Sequence, residues 1–319
     1  MKKTITYIFP IYNESSNIDL LYKTIKDTTT QLLDKYHLQF IFINDGSKDD
    51  SLQKLVDIQR SDNSVKVVNF SRNFGHQIAV TAGLDNTSGD AVIIMDSDMQ
   101  DPPQVSLDLI SKWEQGYEVV YAQRKTRKDT FFKRVTAAMF YKTLQNLASI
   151  DIPRNTGDFR LIDKKVVKAI NSMHEHDRFL RGMVAWVGFK QIAVQFDRGK
   201  RHAGETNYSL SKMMKLAMDG ILGFSTYPIR LISKVGYFIS ILAFLGILYA
   251  IAYKFINPDN TVPGWTFIVI SILFIGGLQL IMLGILGGYI GRIYSEAQNR
   301  PLYIIDNIYE TKDHDQQAL

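Results

Sequence analysis

Apolar residues fall into two unlike patterns along the chain. In the N-terminal part they come in short runs that end on polar residues: ITYIFPI (5–11), QFIFIND (39–45), VKVVNF (65–70), AVIIMD (91–96) and EVVYA (118–122). Runs of this length, rich in β-branched and aromatic residues, predict strands. Helix-length segments lie between them, over 15–36, 49–61, 75–87 and 103–116. Strands alternating with helices predict a mostly parallel sheet covered on both faces, with ligands bound beyond the carboxyl ends of the strands.

The C-terminal pattern is different. No charged residue occurs from Val235 to Tyr253, or from Asn260 to Gly291. Each stretch is long enough to cross a bilayer core. The link between them contains Pro258, Asn260, Pro263 and Gly264, which is turn chemistry. The pattern predicts a membrane hairpin, with helices over about 235–256 and 265–290. Arg230 and Lys234 precede it, and Arg292 and Arg300 follow it. Lys254 lies close to the link, which itself has no Lys or Arg. The positive-inside rule then places both long flanks in the cytoplasm. Trp265, Tyr253 and Tyr289 suit the interfacial belt. The start, MKKTITYIFPIYNE, is too short and too interrupted in its apolar run for a signal peptide. The expected organisation is a cytoplasmic α/β domain over 1–210, amphipathic juxtamembrane helices over 211–234, the hairpin over 235–291 and a cytoplasmic tail over 292–319. The location expected is the inner or plasma membrane.

Averages hide this division. The chain has 319 residues, 46% hydrophobic and 22% charged, and a net charge of +5. Aromatic residues at 12% exclude a disordered chain, and the absence of cysteine excludes a disulfide scaffold and thiolate zinc sites. Basic residues cluster over Arg124, Lys125, Arg127, Lys128, Lys133 and Arg134, with Lys212 and Lys215 in the juxtamembrane stretch. Their place beside membrane spans, with no nucleic-acid motif, points to lipid headgroups and phosphates rather than nucleic acid. Gly284/Gly288 and Gly287/Gly291 are spaced G-x-x-x-G, which serves hairpin packing and a homo-oligomer equally. His174 and His176 lie in a polar segment expected at the surface.

The chemistry concentrates at the strand ends. There is no G-x-G-x-x-G after the first strand and no P-loop, so neither a standard dinucleotide fold nor a P-loop NTPase is expected. AVIIMDSDMQDPP places Asp96 and Asp98 on a turn, with Asp101 before a helix that opens at Pro102 and Pro103. Two carboxylates this close suit a hard divalent cation, Mg2+ or Mn2+, shared with a diphosphate. Asp45, in INDGS, is either a turn residue or a hydrogen-bond partner of a base or ribose.

FPIYNE, INDGS, DSDMQDPP, NTGDFRLI and the two C-terminal spans together resemble the family 2 glycosyltransferases of GT-A fold. More narrowly, nearly the whole chain is similar to polyprenyl-phosphate glycosyltransferases, the GtrB-type relatives of dolichyl-phosphate mannose synthase. The resemblance implies that Pro10, Tyr12, Glu14 and Asp45 line a uridine pocket with Ser97. It implies that Asp96 and Asp98 hold the metal, with Gln100 a further ligand. It makes Asp158 the catalytic aspartate and sets Arg124 and Arg134 against phosphates. RGKRHAGETNYS (198–209) resembles a segment that closes over the site and brings Arg201 to the lipid phosphate; Thr206 stands there where serine is commoner. The Q-x-x-R-W of processive synthases is absent: MVAW (183–186) has Met183 and Ala185 in place of its Gln and Arg. A single transfer is therefore expected.

The implied reaction moves one sugar, glucose first among the candidates, from a UDP-sugar to undecaprenyl or another polyprenyl phosphate, with inversion. The phosphate acceptor has a second pKa near 6, so Asp158 has little need to act as a general base and is expected mainly to orient the acceptor or to absorb residual protons. N-acetylglucosamine, galactose, mannose or an aminoarabinose derivative would fit the same motifs. A catalytically inactive nucleotide-sugar-binding membrane protein should have lost part of the set Asp45, Asp96, Asp98, Asp158 and Arg201, and all are present.

Overall fold

The computed structural model describes residues 2–125, 153, 156–197, 227–256 and 264–311. The elements are β1 (Lys3–Ile11), α1 (Ser15–Thr29), β2 (Tyr36–Asn44), α2 (Ser51–Ser61), β3 (Val65–Phe70), α3 (His76–Asp85), β4 (Ala91–Ile94), α4 (Val105–Glu114) and β5 (Val119–Arg124). They continue with β6 (Thr156–Asp163), α5 (Lys164–Asn171), α6 (Leu180–Trp186), β7 (Gln191–Phe196), α7 (Tyr227–Ile256), α8 (Trp265–Gln298) and β8 (Ile305–Tyr309).

The strands form one sheet in the order β7-β5-β6-β4-β1-β2-β3-β8. β1 to β4 run parallel, as do β5 and β7. β6 runs antiparallel between β4 and β5, and β8 lies antiparallel on the edge strand β3. The expected sheet is thus mostly parallel, with two antiparallel strands added. Ile11 pairs with Asn44, and Asn44 with Asn69, so the polar residues after β1, β2 and β3 emerge along one edge.

The central strands are buried on both sides, and their alternation separates two layers. Ile5, Tyr7, Phe9 and Ile11 of β1 pack with Phe40 and Phe42 of β2 against Ile18, Leu21 and Ile25 of α1 and Leu109 of α4. The Phe9 and Phe42 rings stack at 4.9 Å, and those of Tyr7 and Phe40 at 5.6 Å. Each such ring contributes roughly 2–3 kcal/mol by leaving water. On the other face, Ile8 and Ile41 pack against Val80 of α3, Val166 of α5 and Met183 of α6. A Cβ at Gly83 would stand 2.4 Å from Ile8 Cγ2, so glycine is what lets α3 lie close to β1.

Helix and strand ends moved for local reasons. The helix expected over 15–36 stops at Thr29 and passes through a single 3-10 turn over Thr30–Leu32. The hydroxyls of Thr28, Thr29 and Thr30 donate back to the carbonyls of Thr24, Ile25 and Lys26, and bonds of this kind compete with the regular ladder. β2 starts early because Tyr36, only 4% exposed, is held beside Trp113. β4 ends at Ile94, leaving Asp96 and Asp98 on the turn.

The C-terminal stretch expected as a tail supplies β8. Tyr303 stacks on Phe70 at 5.1 Å and donates to Asp85 at 2.9 Å, and Lys66 pairs with Glu310 at 2.9 Å. These contacts cover an edge that would otherwise be open. Among the described residues, one helical stretch, Phe274–Gln298, is long and apolar enough to cross a membrane; Leu231–Gly246 of α7 is apolar but shorter. Tyr227 to Lys234, within the stretch expected to be juxtamembrane, already belong to α7.

Asp62 ties α1 to the turn before β3. It accepts from Tyr22 at 2.7 Å, Lys26 at 2.8 Å, and the Ser64 amide and hydroxyl at 2.9 and 2.7 Å. Burial alone would raise its carboxyl, but these donors hold it well below the usual carboxylate range. A depressed folded value means that the stabilisation is present above the ordinary carboxylate pKa and is lost as pH falls through the folded one. Asp62→Asn is expected to lower stability by about 2 kcal/mol at neutral pH, Lys26 being partly exposed and screened. Denaturant unfolding across acid pH should show the gap to the parent closing as pH falls.

Candidate active site

The residues that follow the parallel strands meet at one edge. After β1, Asn13 takes a left-handed conformation, φ 55°, which asparagine tolerates. Its amide donates to Ser47 Oγ at 3.0 Å, and its side-chain oxygen accepts from the Lys48 amide at 2.8 Å. The Glu14 amide donates to Ser51 Oγ at 3.1 Å. Tyr12 is 45% exposed beside them. Pro10 lies buried within β1, and its carbonyl accepts from Ser97 Oγ at 3.3 Å.

Asp45 is buried at the end of β2. Its carboxylate accepts from the amides of Phe74 at 2.6 Å and Gly75 at 2.9 Å, and from Asn73 Nδ2 at 2.9 Å. Burial pushes its carboxyl up, against the opposing effect of the two amides. Three donors occupy most of a carboxylate's acceptor capacity, so here Asp45 holds the loop that leads from β3 to α3. Gly46 follows at φ 63°, and a Cβ there would stand 2.4 Å from the Arg72 carbonyl carbon. The Asp-Gly pair thus lets two loops cross in contact.

β6 completes the site. Ile94 of β4 pairs with Arg160 of β6, and this register carried two residues on brings Asp158 against Asp96. Asp158 is 6% exposed. Arg181, at the start of α6, grips it with Nε at 2.8 Å and Nη2 at 3.3 Å. His76 Nε2, at the start of α3, lies 3.1 Å from Asp158 Oδ2 and 3.7 Å from Asp96 Oδ1. Gln77 donates to the same Asp158 oxygen at 3.2 Å. Burial works against the Asp158 charge, but Arg181 and His76 outweigh it and hold the carboxyl well below its ordinary range. Burial likewise disfavours the His76 cation, yet Asp158 and Asp96 raise the ring to about 9.

His76, Gln77 and Arg181 did not stand out in the sequence. Arg181 lies two residues before MVAW, and His76 three after Asn73. Only the insertion of β6 beside β4 makes either of them a neighbour of Asp158.

Asp96 differs from Asp158. Burial raises its carboxyl, and Asp158 and Asp98 add to this against the pull of His76. Its Oδ1 is buried and accepts no hydrogen bond. Met99 turns at φ 57°, and the Gln100 amide donates to Asp98 Oδ1 at 3.1 Å. Among the described residues, no group of three or more His, Asp or Glu could hold an ion by itself. A buried carboxylate oxygen without a donor, with a second carboxylate two residues on, suits a hard cation whose remaining ligands come from elsewhere. Arg124 ends β5 above Gly157, where a Cβ would meet its Nη2 at 3.3 Å. Arg134 and Arg201 lie outside the described residues. A separate cavity of about 880 Å³ at the opposite end of the sheet is lined by Lys3, Tyr36, Trp113 and Lys165. It holds no comparable cluster, and its Lys35 and Lys165 pair with Glu114 and Glu118.

Residues 6–170 match the family model described as glycosyl transferase family 2. The chain is 47% identical to the uncharacterized glycosyltransferase YkcC of Bacillus subtilis, over 97% of this chain and 96% of that one. The chain belongs to glycosyl transferase family 2. It is also 41% identical to the bactoprenol glucosyl transferase of Shigella phage SfV, over 95% of this chain and 98% of that one. A crystal structure of glucosyl-3-phosphoglycerate synthase from Mycobacterium tuberculosis, with Mn2+, UDP and phosphoglyceric acid, is similar with a TM-score of 0.44 and 18% identity. It covers 69% of this chain and 76% of that one. In this family 2 glycosyltransferase the matched region takes in most of β1 and all of β2 to β6, and so includes Asp45, Asp96, Asp98 and Asp158.

The grip on Asp158 yields a direct expectation. Arg181→Ala leaves a buried carboxylate short of its main counter-charge and should destabilise the protein by about 3 kcal/mol. Removing both partners, in Asp158→Ala with Arg181→Ala, should cost less than the arginine change alone. Thermal unfolding of the two variants checks this.

Proposed function

We propose that this glycosyltransferase moves one sugar, glucose, from a UDP-sugar to a polyprenyl phosphate such as undecaprenyl phosphate. The observation that carries the reading is the pairing of two unlike carboxylates at the strand ends. Asp96 has an oxygen left open beside Asp98, and Asp158 is locked as an anion by Arg181 and His76. The end-to-end likeness to a bactoprenol glucosyl transferase supports the choice of acceptor and sugar.

The donor's uridine would lie along Pro10, Tyr12, Glu14, Asp45 and Ser97, at the edge where these residues emerge. Asp96 and Asp98, with Gln100, would hold Mg2+ or Mn2+. The chemistry such an ion supplies is neutralisation of the charge that grows on the departing diphosphate. Arg124 would add fixed positive charge to the same oxygens, already oriented before reaction, and Arg134 would face the acceptor's phosphate. The acceptor's phosphate oxygen attacks the anomeric carbon and forms the new C–O bond. The bond to UDP breaks with its electron pair leaving on UDP, and the anomeric centre inverts.

Asp158 fits orientation better than proton removal. A carboxyl held so far below its ordinary range is a weak base, and the phosphate acceptor is largely dianionic at neutral pH. Arg201 would meet the acceptor phosphate. The chain would be anchored by two membrane helices, over about 235–256 and 265–290, with the catalytic domain and both termini in the cytoplasm.

Membranes containing the protein, incubated with radiolabelled UDP- and GDP-sugars, undecaprenyl phosphate and Mg2+ or Mn2+, should yield labelled lipid from UDP-glucose. Label from a different donor would reassign the sugar, and no labelled lipid from any donor would overturn the reading. Asp96→Ala should cut transfer by about 100-fold or more. Asp158→Asn should show a deficit that persists as pH is raised, whereas recovery at high pH would make Asp158 a general base.

A further inference from the structure

The polar segment before α6 lies at the surface, as expected, but it is not without partners. It closes on the C-terminal end of α8, just past its charge-free run. The His176 amide donates to Glu296 Oε1 at 2.7 Å. The His176 ring has Nδ1 2.8 Å from Glu296 Oε2 and Nε2 2.7 Å from the Arg300 carbonyl oxygen. Arg292 Nη1 meets Asp177 at 3.0 Å. Local structure brings these groups round: α8 is capped by Asn299 in the left-handed conformation, φ 45°, and Pro301 follows Arg300, whose carbonyl faces the loop.

The same segment leads within a few residues to the site. Arg178 donates its amide to the His176 carbonyl at 3.0 Å, and the Phe179 carbonyl accepts from the first turn of α6. The Leu180 amide donates to Gln77 Oε1 at 3.1 Å, and Gln77 Nε2 donates to Asp158. Arg181 then grips Asp158 directly. Two short routes therefore join the helix end to Asp158, and both pass through residues 176–181.

We propose that the end of the membrane helix α8 positions Asp158 through residues 176–181, with His176 as the positioning residue that clasps the helix. The inference rests on the reading of Asp158 as the group that orients a membrane-borne acceptor. Such an acceptor presents its phosphate at a height fixed by the bilayer. A catalytic domain that floated relative to α8 would not hold Asp158 at that height. The clasp fixes it at the point where the chain leaves the membrane.

The clasp is also sensitive to charge. A neutral imidazole donates from one nitrogen only, so meeting two acceptors at once takes the imidazolium. Hydrogen bonds to Glu296 and to the Arg300 carbonyl raise the His176 ring above its ordinary value. The charged groups around it are Glu296, Arg292 and Arg300 at the end of α8, and Glu175, Asp177 and Arg178 in its own loop. Asp85 of α3 and Tyr303 before β8 face Arg178. With the folded value raised, the contribution is full below the ordinary histidine pKa and is lost as pH rises through the folded one.

The test uses the full chain in lipid nanodiscs. Hydrogen exchange, corrected for intrinsic rate, is followed over residues 174–186 and over 156–160 beside Asp158, between about pH 6 and pH 9. His176→Gln and Glu296→Gln should each raise exchange in both segments, and the parent should approach them as pH rises. Transfer should lose roughly tenfold in kcat with the KM for UDP-glucose within about twofold, because misplacement rather than donor binding is affected. The double variant should be no worse than either single one, and His176→Lys, which keeps a cation facing Glu296, should recover part of the rate. Unchanged exchange in His176→Gln, a change confined to 174–178, or a normal kcat despite increased exchange would each overturn the proposal. A parent without transfer from any donor would overturn the proposed function instead, and the exchange at 156–160 would still decide the clasp.

Discussion

A carboxylate buried among sheet residues must be compensated where it stands, because the low dielectric there leaves water unable to do so. Asp158 imposes that requirement on its surroundings. It sits on β6 with Arg181 across both of its oxygens and His76 and Gln77 behind. Satisfying it fixes the starts of two helices, α3 and α6, against one strand. Those helices pack on the same face of the sheet, so one polar cluster and one apolar layer specify the same arrangement.

The contrast between Asp96 and Asp158 follows from the partners each receives. Asp158 lies on β6, and Asp96 stands on the turn that follows β4, the strand β6 pairs with. Asp158 is given cations and hydrogen-bond donors, and its charge is stabilised. Asp96 has a buried oxygen that accepts no hydrogen bond and two acidic neighbours, and burial with these neighbours raises its carboxyl against the pull of His76 at 3.7 Å. One position is held charged by partners within the chain, and the other keeps an oxygen without a hydrogen-bond donor. That division of labour suits a transfer reaction in which one group orients and another relieves a leaving diphosphate.

The apolar C-terminal helices and the α/β domain are joined at more places than the chain connection. β8 returns from α8 and pairs with β3, closing an exposed sheet edge. Beside it, the 174–178 segment meets the end of α8 through His176 and Asp177. For the membrane-borne acceptor proposed above, short polar contacts at the helix end would define both distance and orientation.

The five parallel-type strands, the four helices between them and the two charge-free stretches were legible in the sequence, because each is set by a local pattern: apolar runs, period and the absence of charge. So were Asp45, Asp96 and Asp98, since they directly follow such runs. GDFRL drew attention to Asp158 only as a motif, and its strand went unrecognised because β6 makes its pairs with distant strands. β7 and β8 are not legible for the same reason: their alternation is short, and their stability comes from the neighbour they complete. The loop-holding role of Asp45 depends on amides thirty residues away. His76, Arg181 and His176 are ordinary polar residues in the linear chain. Local patterning, which depends on neighbours within a few residues, decided where the elements lie and which carboxylates stand at their ends. The tertiary structure alone decided which charges share a buried site, because compensation of a buried charge is a matter of distance in space.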